Sequence, residues 1–212
     1  MENISVIILA AGKSNRMGEN KLSLLYNEKP LIQYTFDLVK KVKFFEFILV
    51  ISPDNAKELG ISKDKYASVK VIYNSNIELG LSHSVYLGTK EAKGDGYLFL
   101  AGDQPLLTED LINEIIHYAG QEKIVFPVDG NGNPSNPTFF GGGFRKELLD
   151  LKGDKGGREI RDKYGELCVT IKTDYPEQLM DIDTPEKYKE LLQRNETHRK
   201  EAQRYGKSCL EE

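Results

Sequence analysis

Apolar and polar positions along the chain alternate between two patterns. Ile4-Ser-Val-Ile-Ile-Leu9 is an almost unbroken apolar run of strand length and reads as a buried first strand. From Pro30 onward Leu31, Tyr34, Leu38 and Val42 recur at helical spacing, which predicts a helix. Phe45 to Ile51 is a second strand, closed by the turn residues Ser52-Pro53-Asp54, and Val69 to Tyr73 is a third. Gly80 to Lys93 reads as a helix after a loop, and Gly96 to Ala101 as a fourth, continuously apolar strand. Thr108 stands where an N-cap belongs, before Leu111, Ile112, Ile115, Ile116 and Ala119 on one face, with Glu109 and Asp110 suited to the first turn. Ile124 to Val128 is a fifth strand, and the Gly-, Asn- and Pro-rich stretch from Asp129 to Pro137 is loop. Thr138 to Phe140 and Leu167 to Ile171 are further strand candidates, with two short helices between Arg145 and Tyr164. The order Thr184-Pro185, a cap followed by a first-turn proline, starts a last helix running to about Arg194.

Alternating strands and helices predict an α/β fold: a single domain over residues 1–194, with a Rossmann-like, mostly parallel sheet covered by helices on both faces. Ligands of such sheets gather beyond the carboxyl ends of the strands, near a switch in strand order. The charged stretch 195–212 has few apolar residues and is expected as a frayed or disordered tail.

Composition narrows the partners. A net charge of -4 argues against a nucleic-acid binder, and no apolar run approaches the ~20 residues a membrane span needs. Met1-Glu-Asn leads straight into the first strand without a basic segment or cleavage site, so no signal peptide is expected. Cys168 and Cys209 lie far apart without metal-ligand spacing and read as free thiols in a reducing cytoplasm. Asn195-Glu-Thr197 matches the glycosylation pattern, a chance match in a protein that is not secreted.

The chemistry concentrates in the loop after the first strand, Leu9-Ala-Ala-Gly-Lys-Ser-Asn-Arg-Met-Gly-Glu-Asn-Lys21. Small residues let backbone N–H groups approach phosphate oxygens, and Lys13, Arg16 and Lys21 supply cations. Gly12-Lys13-Ser14 imitates the end of a Walker A loop, but the glycine five positions earlier is replaced by Ile7 in the strand. The dinucleotide fingerprint fails as well, since only Gly12 and Gly18 are present. Lys13 taken alone is as readily a solvated loop lysine as a phosphate ligand.

Three further segments stand out. Asn74 to Ser84 joins a strand to a helix and offers hydroxyl and backbone groups for a nucleobase edge; Ser82 or Ser84 would equally serve as a helix cap. His83 has no carboxylate partner in the sequence and reads as an exposed loop histidine. Gly102-Asp103, directly after the most apolar strand, places a carboxylate at the floor of a cleft, where it suits Mg²⁺ or a turn. Asp181 and Asp183 alternate on an extended segment and so point the same way. Asp183 either precedes the Thr184 cap or joins Asp103 on one metal.

Together these segments resemble the nucleotidyltransferases that attach a nucleotide to molybdopterin, and among them the molybdenum cofactor cytidylyltransferases of the NTP transferase superfamily. The pattern L-A-A-G-x-S-x-R-M-G-x-x-K matches at Leu9 to Lys21, followed by Leu22. Asn74 with Gly80-Leu-Ser-His-Ser84, Gly102-Asp-Gln-Pro105, Gly132-Asn-Pro134, Asn136-Pro137, Leu151-Lys-Gly-Asp-Lys-Gly156 and Asp181-Ile-Asp-Thr-Pro-Glu186 follow in the expected order, to about Leu192. The resemblance implies a nucleotide-diphospho-sugar-transferase-like fold and Mg²⁺-dependent transfer of CMP from CTP to molybdopterin, with a molybdenum hydroxylase as the client. It also implies roles by position. Leu9 and the backbone from Ala10 to Ser14 wrap the triphosphate, Arg16 and Lys21 balance its charge, and Asn74, Gly80 and Ser84 line the base and ribose pocket. Gly102 lets the nucleotide come close; Asp103 and Asp183 hold Mg²⁺, with Asp181 as a further partner. Arg16, Lys21 and Asp103 form the catalytic set, and residues 129–137 and 153–158 face the pterin.

One departure and three alternatives, the first of them guanylyl transfer to the same acceptor, accompany this resemblance. Ala10-Ala11-Gly12 matches the cytidylyl branch, whereas guanylyl relatives more often carry a second glycine there. Asn136-Pro137-Thr138 departs from the usual wording after the glycine-proline turn. Sugar-1-phosphate nucleotidyltransferases place a proline before the lysine, where this chain has Asn20. A non-enzymatic carrier of the cofactor is the reading from another class, and retention of Lys21, Asp103 and Asp183 speaks against it.

Overall fold

The computed structural model describes residues 3–62 and 68–194. The expected tail, the Asn195 triplet and Cys209 lie outside the described residues. In chain order the regular elements are β1 (Ile4–Ala10), β2 (Leu25–Tyr26), β3 (Lys29–Pro30), α1 (Leu31–Lys41), β4 (Glu46–Ile51), α2 (Pro53–Glu58), β5 (Lys70–Tyr73) and α3 (Leu81–Glu91). They continue with β6 (Gly96–Ala101), α4 (Glu109–His117), β7 (Ile124–Val128), β8 (Thr138–Gly141), α5 (Arg145–Asp150), α6 (Arg158–Lys163) and β9 (Cys168–Lys172). A last helix, α7, spans 185–194.

Seven strands form one sheet in the order β5-β4-β1-β6-β8-β7-β9. β5, β4, β1 and β6 run parallel, β8 runs antiparallel to both β6 and β7, and β7 pairs parallel with β9. The expected mostly parallel α/β architecture is therefore present, with β8 reversing direction in its right half. Side chains of β1 alternate between the two faces: Val6, Ile8 and Ala10 join the core under α1, α2 and α4, while Ile7 joins the core under α3, α5 and α6. α3 lies so close to β1 that a side chain at Gly88 would meet Ile7. Among the described residues no helix is long and apolar enough to cross a membrane.

Three short elements depart from expectation: the antiparallel strands β2 and β3, and the helix α2. Ser52-Pro53-Asp54 does not simply turn the chain; Ser52 caps the six-residue helix α2, accepting the Asn55 N–H at 3.2 Å. Its apolar content is a single buried alanine, Ala56, so no periodicity announces it.

The strand order switches at β1. The chain steps outward from β1 to β4 and β5, then α3 carries it back so that β6 pairs with the other side of β1. The crevice beyond the carboxyl ends of β1 and β6 is thus the expected ligand position. α7 packs beside β2 and the start of α1: Leu191 clusters with Leu24, Tyr26, Leu31 and Ile182, and Tyr188 Oη donates to the Leu25 carbonyl at 2.7 Å.

Candidate active site

A cleft of about 580 Å³ opens at this crevice. Leu9, Ala10, Ala11, Gly12 and Lys13 line it from the end of β1. Gly12 faces open space: a side chain built there would touch nothing of the protein, so the position is kept small without any packing reason. Ser14, whose backbone is expected among the phosphate ligands, closes the loop with its side chain. It takes a left-handed φ of 53°, its Oγ accepts the Lys21 N–H at 3.2 Å, and it does not line the cleft. Beneath the loop sits Asn55 of α2, buried, whose Nδ2 donates to the carbonyls of Ala10 at 2.8 Å and Gly12 at 3.2 Å.

The floor is built where β6 ends. Asp103 is 6% exposed and ion-paired with Lys21, and both line the cleft. Burial pushes the Asp103 carboxyl above the usual carboxylate range, Lys21 pulls it back, and the nearby Asp181 adds to the rise. Gly102 is buried under Leu22 and donates its N–H to the Leu9 carbonyl at 3.3 Å, so it faces the protein rather than the cleft. The next residue, Gln104, donates to the carbonyls of Leu179 at 2.9 Å and Asn136 at 3.3 Å. The Ile182 N–H donates to the Asp103 carbonyl at 3.0 Å, which brings the segment Asp181–Asp183 onto the floor.

Both aspartates of that segment meet Lys187, at 2.6 Å from Asp181 Oδ1 and 3.1 Å from Asp183 Oδ1, as their shared orientation predicts. Arg16 pairs with Asp183 Oδ2 at 2.7 Å. Asp183 is partly buried, which alone would raise its pKa, but Lys187, Arg16 and Lys21 outweigh burial and hold the carboxyl below the usual range. Thr184 does cap α7, accepting the Lys187 N–H at 3.3 Å. Neither Arg16 nor Asp183 lines the cleft itself; Arg16 is mostly exposed at the rim. Lys13 does line the cleft, so the structure places it nearer a ligand than its neighbour Arg16.

On the opposite side Asn74, Gly80 and Ser84 all line the cleft. Asn74 is buried, donates to Ser84 Oγ at 2.9 Å and accepts the Asn76 N–H at 3.0 Å, which fixes the loop against α3. Neither Ser82 nor Ser84 caps α3, because Gly80 takes the cap position with a φ of 82° and no side-chain bond. The Leu81 N–H is instead met by Asp154 Oδ1 at 3.2 Å, and a side chain at Gly80 would strike Asp154 and the Gly153 carbonyl. His83 is not in a loop: it lies in the first turn of α3, half-buried, its ring stacked on Tyr86 with centroids 6.0 Å apart. Gly156, Gly157, Arg158 and Arg161 form the far wall, while of residues 129–137 Asn136 alone reaches the cleft. The rest of that loop closes on Asp129, whose carboxylate accepts from Asn131 and Asn133.

Sequence reasoning missed Asn55, Lys187 and Arg161. For Asn55 a signal existed, since Ser52-Pro53 has the same cap-then-proline order as Thr184-Pro185. Arg161 lies over the Phe126 ring at 4.9 Å, and burial lowers its pKa from the ordinary value.

Among the described residues no three His, Cys, Asp or Glu side chains gather into a metal-holding group. The donor set still suits Mg²⁺, which takes one or two carboxylates and completes its shell with phosphate and water. Asp183 Oδ1 is buried without a hydrogen bond, although Lys187 Nζ lies 3.1 Å from it as an ion-pair partner.

Residues 6–167 match the model of the MobA-like NTP transferase domain. The chain belongs to that family. As a member of it, the protein is a nucleotidyltransferase-family enzyme. The purine catabolism protein PucB of Bacillus subtilis is 30% identical over 194 residues, covering 86% of this chain and 92% of that one. A protein of Thermococcus gammatolerans named "Probable molybdenum cofactor guanylyltransferase" is 36% identical over 110 residues, 51% of this chain and 53% of its own. The fold matches that of Rv0371c from Mycobacterium tuberculosis, with a TM-score of 0.74 at 24% identity over 91% of this chain and 98% of that one. The same protein has a crystal structure in complex with manganese, with a TM-score of 0.71 at 22% identity over 90% and 98% of the two chains.

Proposed function

We propose that the protein transfers CMP from CTP to molybdopterin and releases pyrophosphate. The observation that carries this reading is the single cleft on which the Ala10–Lys13 backbone, the Lys21–Asp103 pair and the Asn74–Ser84 wall converge. In that cleft the loop N–H groups, Lys13 and Lys21 hold the triphosphate, with Arg16 at the rim. Asn74 and Ser84 position the groups that meet base and ribose. A phosphate oxygen of the acceptor forms the new bond to the α-phosphorus, and the bond from that phosphorus to the bridging oxygen breaks. Pyrophosphate departs with the bonding electrons, so the chain needs no covalent intermediate and supplies orientation and charge neutralisation. Asp103, Asp181 and Asp183 would hold a divalent cation, the first two from the cleft lining and Asp183 from outside it, and that cation would stabilise charge on the transferred group and the leaving pyrophosphate. That the structurally similar Rv0371c was crystallised in complex with manganese supports a divalent ion in the proposal. Arg158 and Arg161 on the far wall then face the acceptor, a product destined for a molybdenum hydroxylase.

Guanylyl transfer to the same acceptor is favoured by the similarity to the Thermococcus protein. A thermal-shift panel of CTP, GTP, ATP and UTP with Mg²⁺ separates the two, because a ligand stabilises in proportion to the logarithm of its concentration over Kd. The largest shift is expected with CTP. A larger shift with GTP overturns the choice of base, and no shift with any nucleotide overturns nucleotide transfer altogether.

A further inference from the structure

We infer that α2 is a truss for the phosphate loop and that Asn55 is its positioning residue. Asn55 is 8% exposed, and its one amide nitrogen serves two carbonyls of the loop, those of Ala10 and Gly12. The peptide links Ala10–Ala11 and Gly12–Lys13 are trans and planar, so each N–H points away from its carbonyl. Drawing both carbonyls down onto Asn55 therefore turns the N–H groups of Ala11 and Lys13 to the other side, where these residues line the cleft. A loop without this tie is free to flip either peptide and present a carbonyl oxygen, which repels phosphate. The same helix grips the far end of the loop, where Glu58 Oε1 accepts the Ser23 hydroxyl at 2.8 Å, two residues after Lys21. Ser52 fixes the helix itself through the Asn55 N–H. Asn55 does not line the cleft, so it acts on a ligand only through the backbone it holds. The ligand it serves is a polyphosphate chain, whatever base that chain carries.

This inference rests on the nucleotidyl-transfer reading only in placing a triphosphate in the cleft. Its test compares Asn55→Ala with wild type by calorimetric titration of CTP, inorganic tripolyphosphate and CMP, each with Mg²⁺. The variant is expected to bind CTP and tripolyphosphate about tenfold or more weakly and CMP within about twofold, a phosphate-dependent split that general loosening would not produce. Glu58→Ala, a change on the exposed side of α2, should weaken tripolyphosphate by about twofold to threefold and serves as the readout if Asn55→Ala does not fold. Equal losses for CMP and CTP, or unchanged tripolyphosphate binding in both variants, overturn the inference. Wild-type protein that binds tripolyphosphate but prefers GTP overturns the choice of CTP and leaves the role of Asn55 standing.

Discussion

Lys21 and Asp103, 82 residues apart in the chain, meet as an ion pair on the floor of the cleft. The pair joins the loop after β1 to the end of β6, so a cation and a carboxylate are fixed on the cleft floor by one contact.

The two halves of this pair should not be equivalent. Lys21→Met strands a buried carboxylate, a change that costs about 3–5 kcal/mol in a fully enclosed pair. Lys21 keeps 21% of its side chain exposed and Asp103 can take up a proton, so about 2 kcal/mol is expected here. Asp103→Asn leaves a lysine that can turn to solvent and should cost less. Urea midpoints of the two variants check this, and equal losses would contradict it.

Gly12 and Gly80 predict opposite phenotypes. Gly80→Ala forces φ of 82° on an alanine and drives its Cβ to 2.7 Å from the Gly153 carbonyl carbon, so about 2 kcal/mol or more should be lost. Gly12→Ala meets nothing and should change stability by less than about 0.5 kcal/mol. It fills phosphate space instead, so its CTP affinity should fall while its urea midpoint holds.

The Asp129 turn should loosen in acid. Asn133 Nδ2, then the N–H groups of Asn133, Asn131 and Gly132, hold its carboxyl below the usual 3.8. A depressed folded pKa stabilises the turn above the unfolded value and loses that contribution as pH falls through the folded one. An NMR titration should therefore place Asp129 below 3.8, with the Asn131 and Asn133 amide signals moving in the same step. Asp129→Asn should abolish that step.

Cys168 should be a slow thiol. Its Sγ is half-buried against the carbonyls of Tyr164 and Arg161, and burial raises its pKa despite the Arg161 charge. Peptide mapping after brief iodoacetamide treatment at pH 7.5 should find it alkylated several-fold more slowly than after denaturation.

What was legible in the sequence follows from which signals are local. The apolar runs at Ile4–Ala10 and Gly96–Ala101 are buried on both sheet faces, so composition alone exposes them. The antiparallel direction of β8 and the strand order depend on pairings between distant segments, which no local pattern encodes. α2 hides because one apolar residue sets no period, and Asn55 hides with it. The site residues were legible as types, yet their partners were not. Lys187 reaches Asp181 and Asp183 from a helix that reads only as a capped terminal element. Ser14 and Gly102 have the composition of ligand-facing positions, but backbone geometry turns them to closing the loop and packing under Leu22.

On the proposed reading this cleft moves a nucleotidyl group from CTP to a phosphate acceptor with Asp103 at its floor. Incubating the full chain with CTP labelled at the α-phosphate, molybdopterin and Mg²⁺ tests it most directly. Label is expected on the pterin product with one pyrophosphate released per label transferred, and neither with folded Asp103→Ala protein. Transfer by Asp103→Ala at close to the wild-type rate, or no transfer by folded wild-type protein, would contradict it.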